Sequence, residues 1–110
     1  MKNHEVTAQW LEEQMQRAEE VLQRLGAVPL DINQHNREVL GQRVTYRLGG
    51  IYCRVDHAEF DGKPYLMLSA IEEAKFAEIG LMEDVQAVPA GASDKTIERE
   101  FRAALELPPA

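Results

Sequence analysis

Three runs of alternating residues lie between Arg43 and Ile71, and the dipeptides Gly49-Gly50 and Asp61-Gly62 separate them. Gly-Gly and Asp-Gly are strong signals for two-residue hairpins, because both central positions of a type I′ turn need positive φ. Two-residue turns fix the pairing. Leu48 then faces Ile51, Tyr46 faces Cys53 and Val44 faces Val55, while across the second turn Val55 faces Leu68 and His57 faces Leu66. The two hairpins share and agree on their middle strand, which predicts a three-stranded antiparallel meander.

Period-two alternation puts Val44, Tyr46, Leu48, Ile51, Cys53, Val55, Leu66, Leu68 and Ala70 on one side, a nearly unbroken apolar face. A slip of one residue in either hairpin would scatter this set over both sides, so the pattern itself specifies the register. Pro64 gives an independent constraint. It follows the closing pair Phe60–Lys63, so its missing N–H points outward, and the start of the third strand is expected at a sheet edge.

The opposite face carries Arg43, Thr45, Arg47, Tyr52, Arg54, Asp56, Phe60, Tyr65, Met67 and Ser69. This is neither a core face nor a plain solvent face. Tyrosine, arginine and methionine are enriched where proteins meet partners, which makes Arg43, Arg47, Tyr52, Arg54, Tyr65 and Met67 the candidate binding residues. The competing expectation is structural: the arginines pair with Asp56 and with acidic residues of a covering helix, and the rings shield the sheet.

The flanks read as helices. Residues 6–25, free of Gly and Pro, place Leu11, Met15, Ala18, Leu22 and Leu25 on one stripe widened by Val6, Trp10 and Val21. Asn3 or Thr7 can cap this helix and Gly26 can end it. The stripe suits a core, and a two-stranded coiled coil is the alternative. Val28-Pro29-Leu30 is expected to be extended, and residues 31–41 to form a short helix opened by Asp31 and Gln34. Residues 72–79 have the composition of another short helix, stopped by Gly80. Residues 81–88 are read as a fourth strand or an extended segment broken by Pro89; the link to the third strand is too short for a parallel crossover, so a fourth strand is expected to pair antiparallel or lie apart. Ser93 or Asp94 opens a last helix with Ile97, Phe101, Ala104 and Leu105 on one face and Glu98 one turn before Arg102.

Catalytic chemistry is sparsely signalled. Cys53 and His57 lie on one strand roughly 13 Å apart and cannot touch, and Cys53 reads as an inert buried thiol. His57 and Glu59 share a side, but a two-residue spacing without a second cluster is not a metal site. The glycine pairs are followed by strands, so they form no phosphate loop. Ser69 and Ser93 have no base at a fixed spacing, and the pairs Glu12-Glu13, Glu19-Glu20 and Glu72-Glu73 read as solvated helix charges. No catalytic residue, metal or cofactor is therefore assigned.

A chain of 110 residues with 45% hydrophobic content fits a single domain, 1–110, large enough for a core. Its one cysteine excludes an internal disulfide. The absence of a long apolar run and of a signal-peptide pattern leads to the expectation of a cytoplasmic protein without a membrane partner. A formal charge of −7 argues against a nucleic acid partner. The expected fold is α+β, with the N-terminal and C-terminal helices covering the apolar face of the meander. The leading functional expectation is a non-enzymatic binding or regulatory module, a homodimer or a binder of another protein, acting through the Arg/Tyr/Met face or an open edge. The alternatives are an acidic inhibitor or immunity-type protein for a basic partner, and a small enzyme holding an anionic substrate with Arg43, Arg47 and Arg54.

Overall fold

The computed structural model, which describes residues 7–30 and 44–108, builds its sheet outward from the two hairpins. Strands β2 (Thr45–Leu48), β3 (Ile51–Phe60) and β4 (Lys63–Glu72), named with β1 (Val28–Pro29) counted first, are antiparallel neighbours. Their register is the expected one, with Tyr46 opposite Cys53, Leu48 opposite Ile51, Val55 opposite Leu68 and His57 opposite Leu66. At the second turn Asp61 and Gly62 have φ of 53° and 76°, the signs of a type I′ turn. At the first turn only Gly49 is positive, at 60°. The expected I′ turn there is instead of the II′ sign pattern, which needs glycine at its first central position only and leaves the two-residue length and the register unchanged.

The short strand β1 pairs antiparallel with β2, Val28 opposite Arg47 and Pro29 opposite Tyr46. On the other side β5 (Glu83–Pro89) pairs antiparallel with β4, with a shift in register between Leu68 and Ser69. Among the described residues this gives a five-stranded sheet in sequence order, β1 to β5. The strand expected at 81–88 is thus present and displaced slightly toward the C-terminus. The edge expected at Pro64 is confined to its donor side: β5 pairs only as far as Tyr65, and the Pro64 carbonyl accepts from the Ala90 N–H at 3.1 Å. Pro89 closes the outer strand, where a lost ladder donor does least harm.

Helix α1 (Ala8–Arg24) begins where Thr7 accepts from the Trp10 N–H at 3.0 Å, and it stops before Gly26, whose φ is 112°. Helix α2 (Glu73–Ile79) ends at left-handed Gly80. Helix α3 (Asp94–Ala104) is capped by Ser93, which accepts from the Thr96 N–H at 3.2 Å. The apolar sheet face meets α1 and α3: Met15, Ala18, Val21 and Leu22 of α1 and Ile97 and Phe101 of α3 pack with Tyr46, Cys53, Val55, Leu66, Leu68 and Val88. The α1 stripe is therefore used inside this chain's own core rather than in a coiled coil. Arg17 fastens the two helices, donating to Asp94 at 2.7 Å and to the Ala92 carbonyl at 3.0 Å. The short helix expected at 31–41 lies outside the described residues. No helix among them is long and apolar enough to cross a membrane.

Candidate functional site

Because α1 and α3 occupy one side of the sheet, the alternation of β2, β3 and β4 turns Arg47, Tyr52, Arg54, Asp56, Phe60, Tyr65 and Met67 to the other. Arg43 lies outside the described residues. The remaining members of this face divide into three zones along β3.

At the Gly49-Gly50 end, α2 folds against the face. Glu73 and Phe76 are three residues apart and so share one side of a helix. Both reach Tyr52, whose hydroxyl donates to Glu73 Oε2 at 3.1 Å and whose ring meets Phe76 edge-on, 5.4 Å between centroids. The hydrogen bond to Glu73, with desolvation and the negative charge of Glu73 adding to it, raises the Tyr52 pKa; Arg47 pulls the other way. Arg47 itself stands 4.0 Å from Glu73 and donates to the Gly49 carbonyl at 3.4 Å. Two of the predicted binding residues are thus engaged within the chain, in the manner of the covering-helix expectation.

The middle zone is Arg54. Its cross-strand neighbours, Thr45 and Ser69, are both buried. Ser69 donates to Asp84 Oδ1 at 2.8 Å, a partner that the register shift after Leu68 brings alongside. Arg54 Nε is shut off from solvent and finds no acceptor. Among the described residues Asp56 neutralises neither Arg47 nor Arg54: its carboxylate turns back to accept from the His57 N–H at 2.8 Å. Side chains two apart on a strand stand roughly 7 Å from each other, and the backbone donor is nearer. Among the described residues neither Arg54 nor Asp56 forms an ion pair. Arg47 is drawn to Glu73 of α2 and to the Gly49 carbonyl at the turn.

At the Asp61-Gly62 end, Phe60 is half exposed and meets Tyr65 edge-on at 5.4 Å. Tyr65 and Met67 are partly exposed, with Pro89 and Ala87 of β5 opposite them. This end presents apolar and aromatic surface.

Two recesses among the described residues lie elsewhere. A groove of about 410 Å³ is floored by Ile51, Ile71, Val85 and Leu105, with both signs of charge on its rim, and a second of about 250 Å³ lies among Gln16, Glu19, Glu20, Gln23 and Tyr46. Neither includes Arg47, Tyr52, Arg54, Tyr65 or Met67. Cys53 is fully buried, and desolvation pushes its thiol up to about 12. His57 is exposed. No group of three or more metal-ligating side chains occurs among the described residues.

Some features escaped the sequence reading. Glu19 is buried and accepts from the Tyr46 hydroxyl at 3.1 Å, although the Glu19-Glu20 pair reads as solvated. The signal was its place four residues after Met15 and three before Leu22, on the α1 stripe. The Glu73 and Phe76 contacts with Tyr52 were signalled only by their i, i+3 spacing. The chain matches no protein-family model, and no curated protein or solved structure is significantly similar to it.

Proposed function

We propose that this protein is a small non-enzymatic binding or regulatory module whose working surface is the part of the mixed face left open by α2: Arg54, Tyr65 and Met67, with Asp56 and Phe60. One observation carries the reading. Arg54 Nε is sealed from water and has no acceptor among the described residues, on the face whose far hairpin end carries half-exposed Phe60. An arriving anionic group would meet the guanidinium at its terminal nitrogens, which are not among the sealed atoms, in charge-assisted hydrogen bonds. Arginine and tyrosine on one face are also the residue types of interface hot spots. The enzyme alternative asks for arginines converging in a concave pocket; Arg47 is instead tied to Gly49 and Glu73.

The test is the double variant Arg54→Ala/Tyr65→Ala, which leaves the apolar core face untouched. Expected are retained cooperative thermal unfolding and a loss of sedimenting mass or of chemical-shift response to a short acidic peptide. A folded variant with unchanged mass and unchanged peptide response would refute the binding role. A variant that unfolds would assign both residues to intrachain structure.

A further inference from the structure

The apolar face of the sheet extends past the end of α3. There Ile51, Ala70 and Val85 floor the groove of about 410 Å³, and Leu105 closes it from the helix side. Glu72, Glu83 and Glu106 stand on its rim with Lys75. All four are exposed, and none forms an ion pair among the described residues. Because α3 ends at this groove, the partial negative charge of its last carbonyls adds to that of the rim. We infer that the groove, on the side of the sheet away from Arg54, binds an extended segment of another protein that presents basic and aliphatic side chains at alternate positions.

Charge and backbone together select this occupant. Three carboxylates against one ammonium, on a chain of formal charge −7, attract a basic segment and oppose an acidic one or a second copy. An apolar floor beneath such a rim suits lysine or arginine, which lays its methylene stem on apolar surface while its charged end reaches the carboxylates; an aliphatic neighbour fills the floor itself. The backbone argues for a peptide rather than a small cation. β5 has β4 on one side and, among the described residues, no strand on the other, so its outward N–H and C=O groups can take a further strand. Pro89 removes a donor at the far end of β5, so the added strand lies against the Glu83 end, where the groove is. In an extended segment alternate side chains share one face, which is why the basic and the aliphatic residue must stand two apart. Three of the five large apolar side chains exposed among the described residues, Ile79, Leu81 and Val85, fall in the stretch 79–85 that leads into this edge. Val85 is also the residue left without a partner on β4 at the register shift.

The probe is the end-blocked peptide Lys-Thr-Val-Thr-Lys, followed by fluorescence anisotropy and by amide chemical shifts of the whole chain. Expected is saturable binding with the shift changes centred on Glu83 to Ala87 and on Leu105. Glu83→Lys/Glu106→Lys should weaken it by about tenfold or more, since each reversal turns an attraction into a like-charge contact. Lys-Thr-Thr-Thr-Lys should bind more weakly and Glu-Thr-Val-Thr-Glu not at all, while Arg54→Ala, on the other face, should leave the affinity unchanged. Absence of saturable binding overturns the inference. Equal affinity for Lys-Thr-Thr-Thr-Lys overturns it too, by reducing the contact to unspecific attraction of charge. A response lost in Arg54→Ala but kept in Glu83→Lys/Glu106→Lys overturns this groove and leaves the Arg54 reading standing. Should the charge reversal fail to fold, Glu83→Gln/Glu106→Gln takes its place: about threefold weaker binding is expected, and an unchanged affinity refutes the groove.

Discussion

Replacing Arg54 by methionine should make the isolated protomer more stable. Methionine keeps most of the unbranched stem that lies on the sheet between Thr45 and Ser69 and removes the Nε–H that has no acceptor. An orphaned buried donor costs about 1 to 3 kcal/mol. The arginine's terminal nitrogens are not among the sealed atoms, so the charge is only partly desolvated and the lower part of that range applies. A gain of about 1 kcal/mol corresponds to a rise of roughly 4 °C or more in Tm for a domain of this size. The assay is urea unfolding at a dilution where no association is detectable, in which the same gain moves the midpoint by about 0.5 M for a slope of about 2 kcal/mol/M. Methionine is apolar and of similar reach, so new strain is not a competing term. Destabilisation by 1 kcal/mol or more would refute the reasoning, since it would mean that the guanidinium is satisfied within the protomer.

Val55 is fully buried, and Val55→Ala should cost about 1 to 3 kcal/mol through lost methyl burial and a residual cavity, read by the same unfolding assay. Cys53 should resist thiol reagents at neutral pH, with a labelling rate that follows unfolding. Its folded pKa, about 12, lies above the ordinary 9.0, so its contribution to stability is intact below pH 9 and is lost as pH rises from 9 toward 12, checked by unfolding across that window. Glu73→Gln should lower the Tyr52 pKa in an ultraviolet titration, because the carboxylate hydrogen bond is the largest cause of its rise.

The sheet was legible because two independent constraints coincided. Turn chemistry at Gly49-Gly50 and Asp61-Gly62 and the alternation of Val44 to Ala70 each specify a register, and they specify the same one. What escaped was of another kind. The II′ sign at Gly49 is invisible because glycine permits either turn at equal length. The Ser69–Asp84 bond depends on a register shift, and no local pattern marks where β5 slips against β4. Glu19 reads as solvated by composition, and its burial against Tyr46 depends on the angle at which α1 crosses the sheet. For the candidate site, the residues were nameable and their partners were not: Tyr52 and Arg47 belong to α2, and Asp56 answers to its own backbone.

Those partners decide which part of the face is available for function. A two-layer fold with α1 and α3 on one side leaves the other side of the sheet to be managed residue by residue, and most of that work is local. Tyr52 is covered by Phe76 and held by Glu73, Arg47 is drawn to Glu73 and Gly49, and Ser69 is answered by Asp84. Each of these removes a polar group from the pool that a partner would have to satisfy. Arg54 is left with a sealed donor, at the boundary between the part covered by α2 and the exposed end around Phe60 and Tyr65. Stability alone would favour an apolar side chain at that position, and the Arg54→Met experiment measures how much. If Arg54 serves binding, as proposed, Arg54→Met should raise protomer stability and lower the response to an anionic partner together; a variant that moves only one of the two separates the structural cost from the binding role.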